Sequence, residues 1–141
     1  MTKEELTKEI LSYNAKADTI MIKLAYEFAE NAHEGQLRLN GEKYFQHCLG
    51  TVHHLVKMHM DDPTIIAGLL HDVPDETGIS IDDIRSNFGS DVAFLVSGVS
   101  KLGTIKYRGM EKYADNLRKL FISLASDIRI ANPGADRVTA T

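Results

Sequence analysis

Cysteine occurs once in the 141 residues, at Cys48, so no disulfide can close within the chain, and a reducing cytosol is the expected compartment. No apolar run approaches the roughly 18 to 20 residues of a membrane span, so no contact with a bilayer is expected. Basic charge is not in excess either. Twenty acidic residues against 16 basic give a net charge of −4, which disfavours a general nucleic-acid binder. The start, Met1-Thr2-Lys3-Glu4-Glu5, leads into a polar amphipathic stretch rather than a targeting segment, in keeping with a cytoplasmic protein. There is no internal repeat, no low-complexity tract and no alternating strand pattern. What is left is one ordinary globular domain, 43% hydrophobic and 26% charged, long enough to bury a core without staples.

Helical spacing accounts for most of the apolar residues. Leu6, Ile10 and Tyr13 fall on one face from about Lys3 to Asn14, and Asp18 is placed to cap a second helix carrying Ile22, Ala25, Tyr26, Ala29 and Ala32. The stretch from Gly35 to Tyr44 holds two glycines, two basic residues and an Asn-Gly pair, which is loop chemistry. A third helix is expected from about Phe45 to Met58, with His47, Gly50, Thr51, His54 and Met58 near one stripe. Further on, Ser80-Ile81-Asp82-Asp83 reads as a capping box opening a helix to about Phe88, stopped by Gly89. The next helix has Val92, Leu95, Val96 and Val99 inward and ends at Lys101-Leu102-Gly103. After a polar connection, a long helix is expected from about Met110 to Ser126. Helices joined by short turns predict an all-α bundle with orthogonal packing.

The chemistry concentrates at His71-Asp72-Val73-Pro74-Asp75-Glu76-Thr77, which closes the apolar run Ile65-Ile66-Ala67-Gly68-Leu69-Leu70. With Asp62 as N-cap and Pro63 as first helical residue, that run becomes a short buried helix delivering His71 and Asp72 together at its C-terminal end. Pro74 is expected to turn the chain near Val73 and present Asp75 and Glu76 close by. An imidazole and a carboxylate side by side can hold a divalent metal. Antiparallel packing of the third and fourth helices would add His47 to the same ion, and such mixed ligands suit manganese, iron or zinc better than calcium.

Taken with Ala32-His33-Glu34-Gly35-Gln36-Leu37-Arg38, Asn40-Gly41-Glu42-Lys43-Tyr44-Phe45-Gln46-His47, Leu69 to Thr77, Phe88-Gly89-Ser90-Asp91-Val92, Gly98 to Leu102, Asn116-Leu117-Arg118-Lys119 and Ala125 to Arg129, these residues make the chain recognisable. It resembles the HD-type hydrolase domain of the RelA/SpoT family, enzymes that remove the 3′-pyrophosphate from the alarmones ppGpp and pppGpp with manganese. The resemblance runs through residues 1–130, leaving 131–141 as a divergent tail with a Pro133-Gly134 turn signal, expected to be frayed or disordered. It implies that His47, His71 and Asp72 ligate the metal, that Asp75 and Glu76 activate water, and that Arg38 and Asn40 meet the nucleotide. Charge on so anionic a substrate would be screened by the metal and by Arg38, Lys43 and others among Lys101, Arg118 and Lys119.

Two departures bear on activity. The family has Glu-Asp where this chain has Asp75-Glu76, so the short and long carboxylates are exchanged, with Glu76 the better water-activating base. The family's fourth ligand, the Asp of a Leu-Ala-Asp-Arg-Leu-His-Asn-Met helix, is echoed only by Asp136, one residue early and without the His-Asn. The expected function is therefore a metal-dependent alarmone 3′-pyrophosphohydrolase of low activity, as a stand-alone enzyme or the hydrolase part of a longer synthetase-hydrolase. The alternative is a nucleotide-binding regulatory module with weak or no turnover. Homo-oligomerisation is left open.

Overall fold

A computed structural model of the chain describes residues 1–104, with side chains through residue 99. The helix expected over 110–126, Arg118, Lys119, Asp136 and the tail 131–141 lie outside the described residues, as does the side chain of Lys101. Among the described residues seven helices follow in order: α1 (Lys3–Tyr13), α2 (Thr19–Ala32), α3 (Tyr44–Lys57), α4 (Asp62–Leu70), α5 (Val73–Glu76), α6 (Ile81–Phe88) and α7 (Ser90–Thr104). The class is all-α. Among the described residues the one extended pairing is an isolated bridge between Leu37 and Lys43.

Side chains set most of the helix starts as the sequence suggests. Asp18 accepts from the Met21 amide, and Ser80 and Asp83 form a reciprocal capping box in which each receives the other's backbone N–H. Two boundaries differ from expectation. The cap of α4 is Asp61, whose carboxylate accepts from Thr64 N, and Pro63 therefore sits one position further into the helix. Asp62 is engaged elsewhere: its oxygens take the Asp18 amide at 2.8 Å and Asn14 Nδ2 at 3.3 Å. Pro74 does not break the chain into an open turn. It opens the short helix α5, because a residue in the first helical turn needs no N–H partner.

Every residue of α4 from Thr64 to Leu70 is buried, and α2, α3 and α7 pack around it. Fully burying each of its Leu and Ile side chains contributes about 1.5–3 kcal/mol, so this helix is the centre of the core. The partner face of α3 is Phe45, Cys48, Leu49, Val52, Leu55 and Val56. Of the His47 to Met58 stripe only Thr51 is buried, His47 is half-buried, and Gly50, His54 and Met58 face solvent. The stripe thus marks the rim of α3 and not its core face. At the closest approach, a Cβ placed on Gly68 would lie 2.7 Å from Leu55 Cδ1 and 3.6 Å from Val52 Cγ2. Glycine lets α4 press against α3.

The connection from α3 to α4 is a Schellman turn: Met60 N donates to Leu55 O at 3.2 Å and His59 N to Val56 O at 2.9 Å, with His59 in the left-handed region at φ 56°. A side chain there is disfavoured, and stacking of the His59 ring on Tyr13, centroids 4.4 Å apart, offsets part of the cost. Tyr13 in turn donates its hydroxyl to Met60 O at 2.8 Å, tying α1 to this turn.

Two outcomes are expected. Gly68→Ala lowers unfolding stability by about 1–2 kcal/mol, overpacking outweighing the better helix propensity of alanine. The double variant with Leu55→Val, which has no Cδ, loses less than the sum of the two singles in urea denaturation. Burial, and then the charges of Asp62, Asp61 and Glu9, push the Tyr13 phenol from 10.0 up to about 12. A pKa raised by folding stabilises fully below the unfolded value and is lost as pH rises through the folded one. Stability should fall between pH 10.0 and about 12, and Tyr13→Phe should make that fall shallower.

Candidate metal centre

α4 ends at Leu70, and the next two side chains, His71 and Asp72, are each 1% exposed. His71 Nδ1 lies 2.6 Å from the carbonyl oxygen of Gly68, a contact that requires the proton on Nδ1. The other ring nitrogen, Nε2, faces Asp72 Oδ2 at 3.2 Å. A protonated Nε2 would donate to that oxygen, and a neutral ring would offer Nε2 and Oδ2 as two donors to one cation. Donation of the remote ring N–H to a backbone carbonyl is also how metal-bound histidines are oriented. The donor pair therefore fits a divalent cation.

The carboxylate has a second neighbour that the sequence reading did not single out. Tyr44, the first residue of α3, donates its hydroxyl to Asp72 Oδ2 at 3.0 Å, which sets the start of α3 beside the end of α4 as antiparallel neighbours must be. Burial, then the charges of Asp72 and Glu76, hold the phenol protonated well above its ordinary range, so it stays a donor. The Tyr44 ring packs on His33 with centroids 4.9 Å apart and meets His47 edge-on at 5.7 Å. Its three-residue spacing from His47 on one helix was the available signal, since both must face the same side.

The structure brings some of the expected site residues together and not others. His71 and Asp72 are paired, and His47 stands one turn along α3 from Tyr44, but among the described residues no group of three His, Cys, Asp or Glu side chains is assembled as a metal site. Asp136 lies outside the described residues. Glu76, Arg38 and Asn40 line one open cleft of about 670 Å³ together with Gln36, Leu37, Leu39 and Tyr44. Asp75 is exposed and is not among the described residues lining that cleft, and Lys43 lines a neighbouring pocket instead. The cleft loop is held by a turn in which Gly41 N donates to Arg38 O at 2.9 Å and Arg38 N to Glu42 O at 2.7 Å, with Gly41 at φ 86°. Asn40 Oδ1 accepts from Glu42 N at 3.0 Å, and among the described residues the Arg38 guanidinium makes a loose 4.0 Å contact with Glu42.

Removing the Tyr44 hydroxyl leaves the buried Asp72 carboxylate short of a donor. Tyr44→Phe is expected to destabilise the metal-free protein by about 1–3 kcal/mol, checked by urea denaturation. An unchanged midpoint would show that the contact carries no stability.

Residues 25–139 match the HD domain family. The chain is 42% identical over 127 residues to the guanosine-3′,5′-bis(diphosphate) 3′-pyrophosphohydrolase of Aquifex aeolicus, covering 90% of this chain and 18% of the relative. It is 39% identical over 128 residues to the bifunctional (p)ppGpp synthase/hydrolase SpoT of Escherichia coli, with the same two coverages, and 38% identical over 125 residues to a GTP pyrophosphokinase of Myxococcus xanthus, covering 86% of this chain and 16% of the relative. The chain thus spans under a fifth of the length of these relatives. With its His71-Asp72 pair closing a buried helix and the match running over most of its length, the chain belongs to the HD domain family.

Proposed function

We propose that this chain hydrolyses the 3′-pyrophosphate of guanosine tetra- and pentaphosphate, with a divalent metal, as the hydrolase portion of a longer protein or on its own. HD domains are metal-dependent hydrolases, and relatives named as alarmone 3′-pyrophosphohydrolases align over 90% of the chain. The observation that carries the reading is the cleft in which Arg38, Asn40 and Glu76 meet, with Tyr44 reaching from it to the buried Asp72. A cation-binding end, a carboxylate and a guanidinium are what a phosphate ester needs from its enzyme.

His47, His71 and Asp72 would hold the cation, manganese in this reading, with Asp136 as the fourth ligand. When bound, the cation supplies the positive charge that draws off the negative charge building on the phosphoryl oxygens. The chain's own groups do the rest. Gly68 O keeps the His71 ring in the tautomer that leaves Nε2 available, and Tyr44 holds one Asp72 oxygen so that the carboxylate cannot swing. Glu76, exposed at the cleft, takes the proton of the attacking water, with Asp75 beside it in the chain to orient it. Arg38 grips phosphate or stacks on the base, and Asn40 offers amide hydrogen bonds at the turn. We take residues 1–130 as the catalytic domain and 131–141 as a tail, and the cytoplasm as its compartment. Among the described residues no helix is long and apolar enough to cross a membrane.

The full chain with manganese should release pyrophosphate from ppGpp. Arg38→Ala should raise the Kd for ppGpp about tenfold or more, the worth of a charge-assisted phosphate contact, while leaving manganese content and Tm unchanged. Binding of ppGpp without pyrophosphate release would favour the regulatory module over the enzyme. Equal ppGpp affinity in the variant would refute the role of Arg38.

A further inference from the structure

Gln36 connects two parts of the molecule that the proposed reaction uses separately. Its side-chain Nε2 donates to the backbone oxygen of Glu76 at 2.7 Å, forty residues away, while its own backbone oxygen accepts from Tyr44 N at 3.0 Å. The Arg38 and Asn40 turn begins two residues later, so one residue touches the nucleotide loop, the start of α3 and the acidic turn. Gln36 and Leu37 line both the cleft and the adjoining pocket of about 370 Å³ on the His33 side.

The direction of the amide is dictated from behind. An oxygen facing the Glu76 carbonyl at 2.7 Å would be repelled, so the NH₂ group must point there and Oε1 must point away. Oε1 lies 2.9 Å from Nδ1 of His33, which must then carry a proton. His33 is 2% exposed and its Nε2 lies 3.8 Å from Cys48 Sγ, leaving that nitrogen as acceptor for the thiol. The result is a one-way series of donors: Cys48 to His33, His33 to Gln36, Gln36 to Glu76. Packing of His33 on the Tyr44 ring, centroids 4.9 Å apart, fixes the imidazole plane. A buried, oriented histidine of this kind stops the Gln36 amide from flipping.

We propose that Gln36, oriented by His33, is a positioning residue that holds the Glu76 turn against the nucleotide-binding loop. The proposal rests on the reading of Glu76 as the base. α5 is anchored at its start by the buried Val73, while Asp75 and Glu76 at its far end are exposed, so the Gln36 amide is the contact that ties the Glu76 end to the nucleotide-binding loop. A base displaced by about 1 Å can lose on the order of a hundredfold in rate.

The test uses the full chain with three variants. Gln36→Glu keeps the shape and the acceptor for His33 but removes the donor to Glu76. His33→Leu removes the orienting proton, and His33→Asn restores a donor near the place of Nδ1. Amide exchange is read at Glu76 and Thr77, whose N–H groups bond to Asp72 O and Val73 O at 3.0 Å each, against Leu69 and Leu70 within α4. Gln36→Glu should speed exchange at Glu76 and Thr77 about tenfold without changing α4, and should lower kcat for ppGpp about tenfold with KM within about threefold. His33→Leu should follow it, and His33→Asn should recover most of both. The proposal is overturned if Gln36→Glu leaves exchange at Glu76 and Thr77 unaltered, or if protection is lost through α4 as well with kcat, KM and Tm moving together. Should the unmodified chain release no pyrophosphate, the reading of the function fails, and the exchange pattern alone upholds or overturns the strut.

Discussion

An imidazole nitrogen of His71 and a carboxylate oxygen of Asp72 held 3.2 Å apart, both in side chains only 1% exposed, form the constraint around which the structure is arranged. Two polar groups buried side by side must be held in fixed geometry by the elements that carry them. The rigidity comes from α4. A helix buried from Thr64 to Leu70 cannot rotate without exposing apolar surface, and Gly68 allows it to lie close enough to α3 that Leu55 and Val52 lock its position. The carbonyl of that same glycine receives His71 Nδ1. One residue therefore sets both the helix packing and the tautomer.

Around the pair, Tyr44 converts packing into polarity. Its ring lies among His33 and His47, its hydroxyl meets Asp72, and its backbone N–H meets Gln36 O. Desolvation and two nearby acidic groups keep it protonated, so the interaction is a donor to a buried anion and not a second buried charge. From Tyr44 the architecture reaches outward to the cleft where Arg38, Asn40 and Glu76 are exposed. The buried His71-Asp72 pair thus lies behind a cleft whose rim carries a guanidinium, an amide and a carboxylate.

Much of this was legible beforehand. The apolar spacing of α1, α2 and α7, the Asp18 and Ser80 caps, and the buried run before His71-Asp72 all follow from local rules that the tertiary structure leaves intact. The failures are instructive in kind. Asp61 and not Asp62 caps α4 because Asp62 is drawn to Asp18 and Asn14 across 44 to 48 residues, which no local pattern reveals. Pro74 opens a helix because a helix start tolerates proline as readily as a turn does. The core face of α3 is set by Phe45, Cys48, Leu49, Val52, Leu55 and Val56, which lie beside the His47 stripe. Tyr44, Gln36 and His33 were missed because their contacts run between distant segments, Gln36 to Glu76 most of all. The expected roles of Asp136, Arg118 and Lys119 lie beyond the described residues.

The proposed binding of a cation by the His71-Asp72 pair is open to direct measurement. The most direct measurement is the thermal unfolding midpoint of the full chain with and without excess manganese, beside His71→Ala under the same conditions. A ligand that binds only the folded state stabilises it by about 2.7 kcal/mol at a hundred times its Kd. The midpoint of the unmodified chain should rise with manganese, and that of His71→Ala should not. A midpoint indifferent to manganese in the unmodified chain, or an equal rise in the variant, would contradict the account.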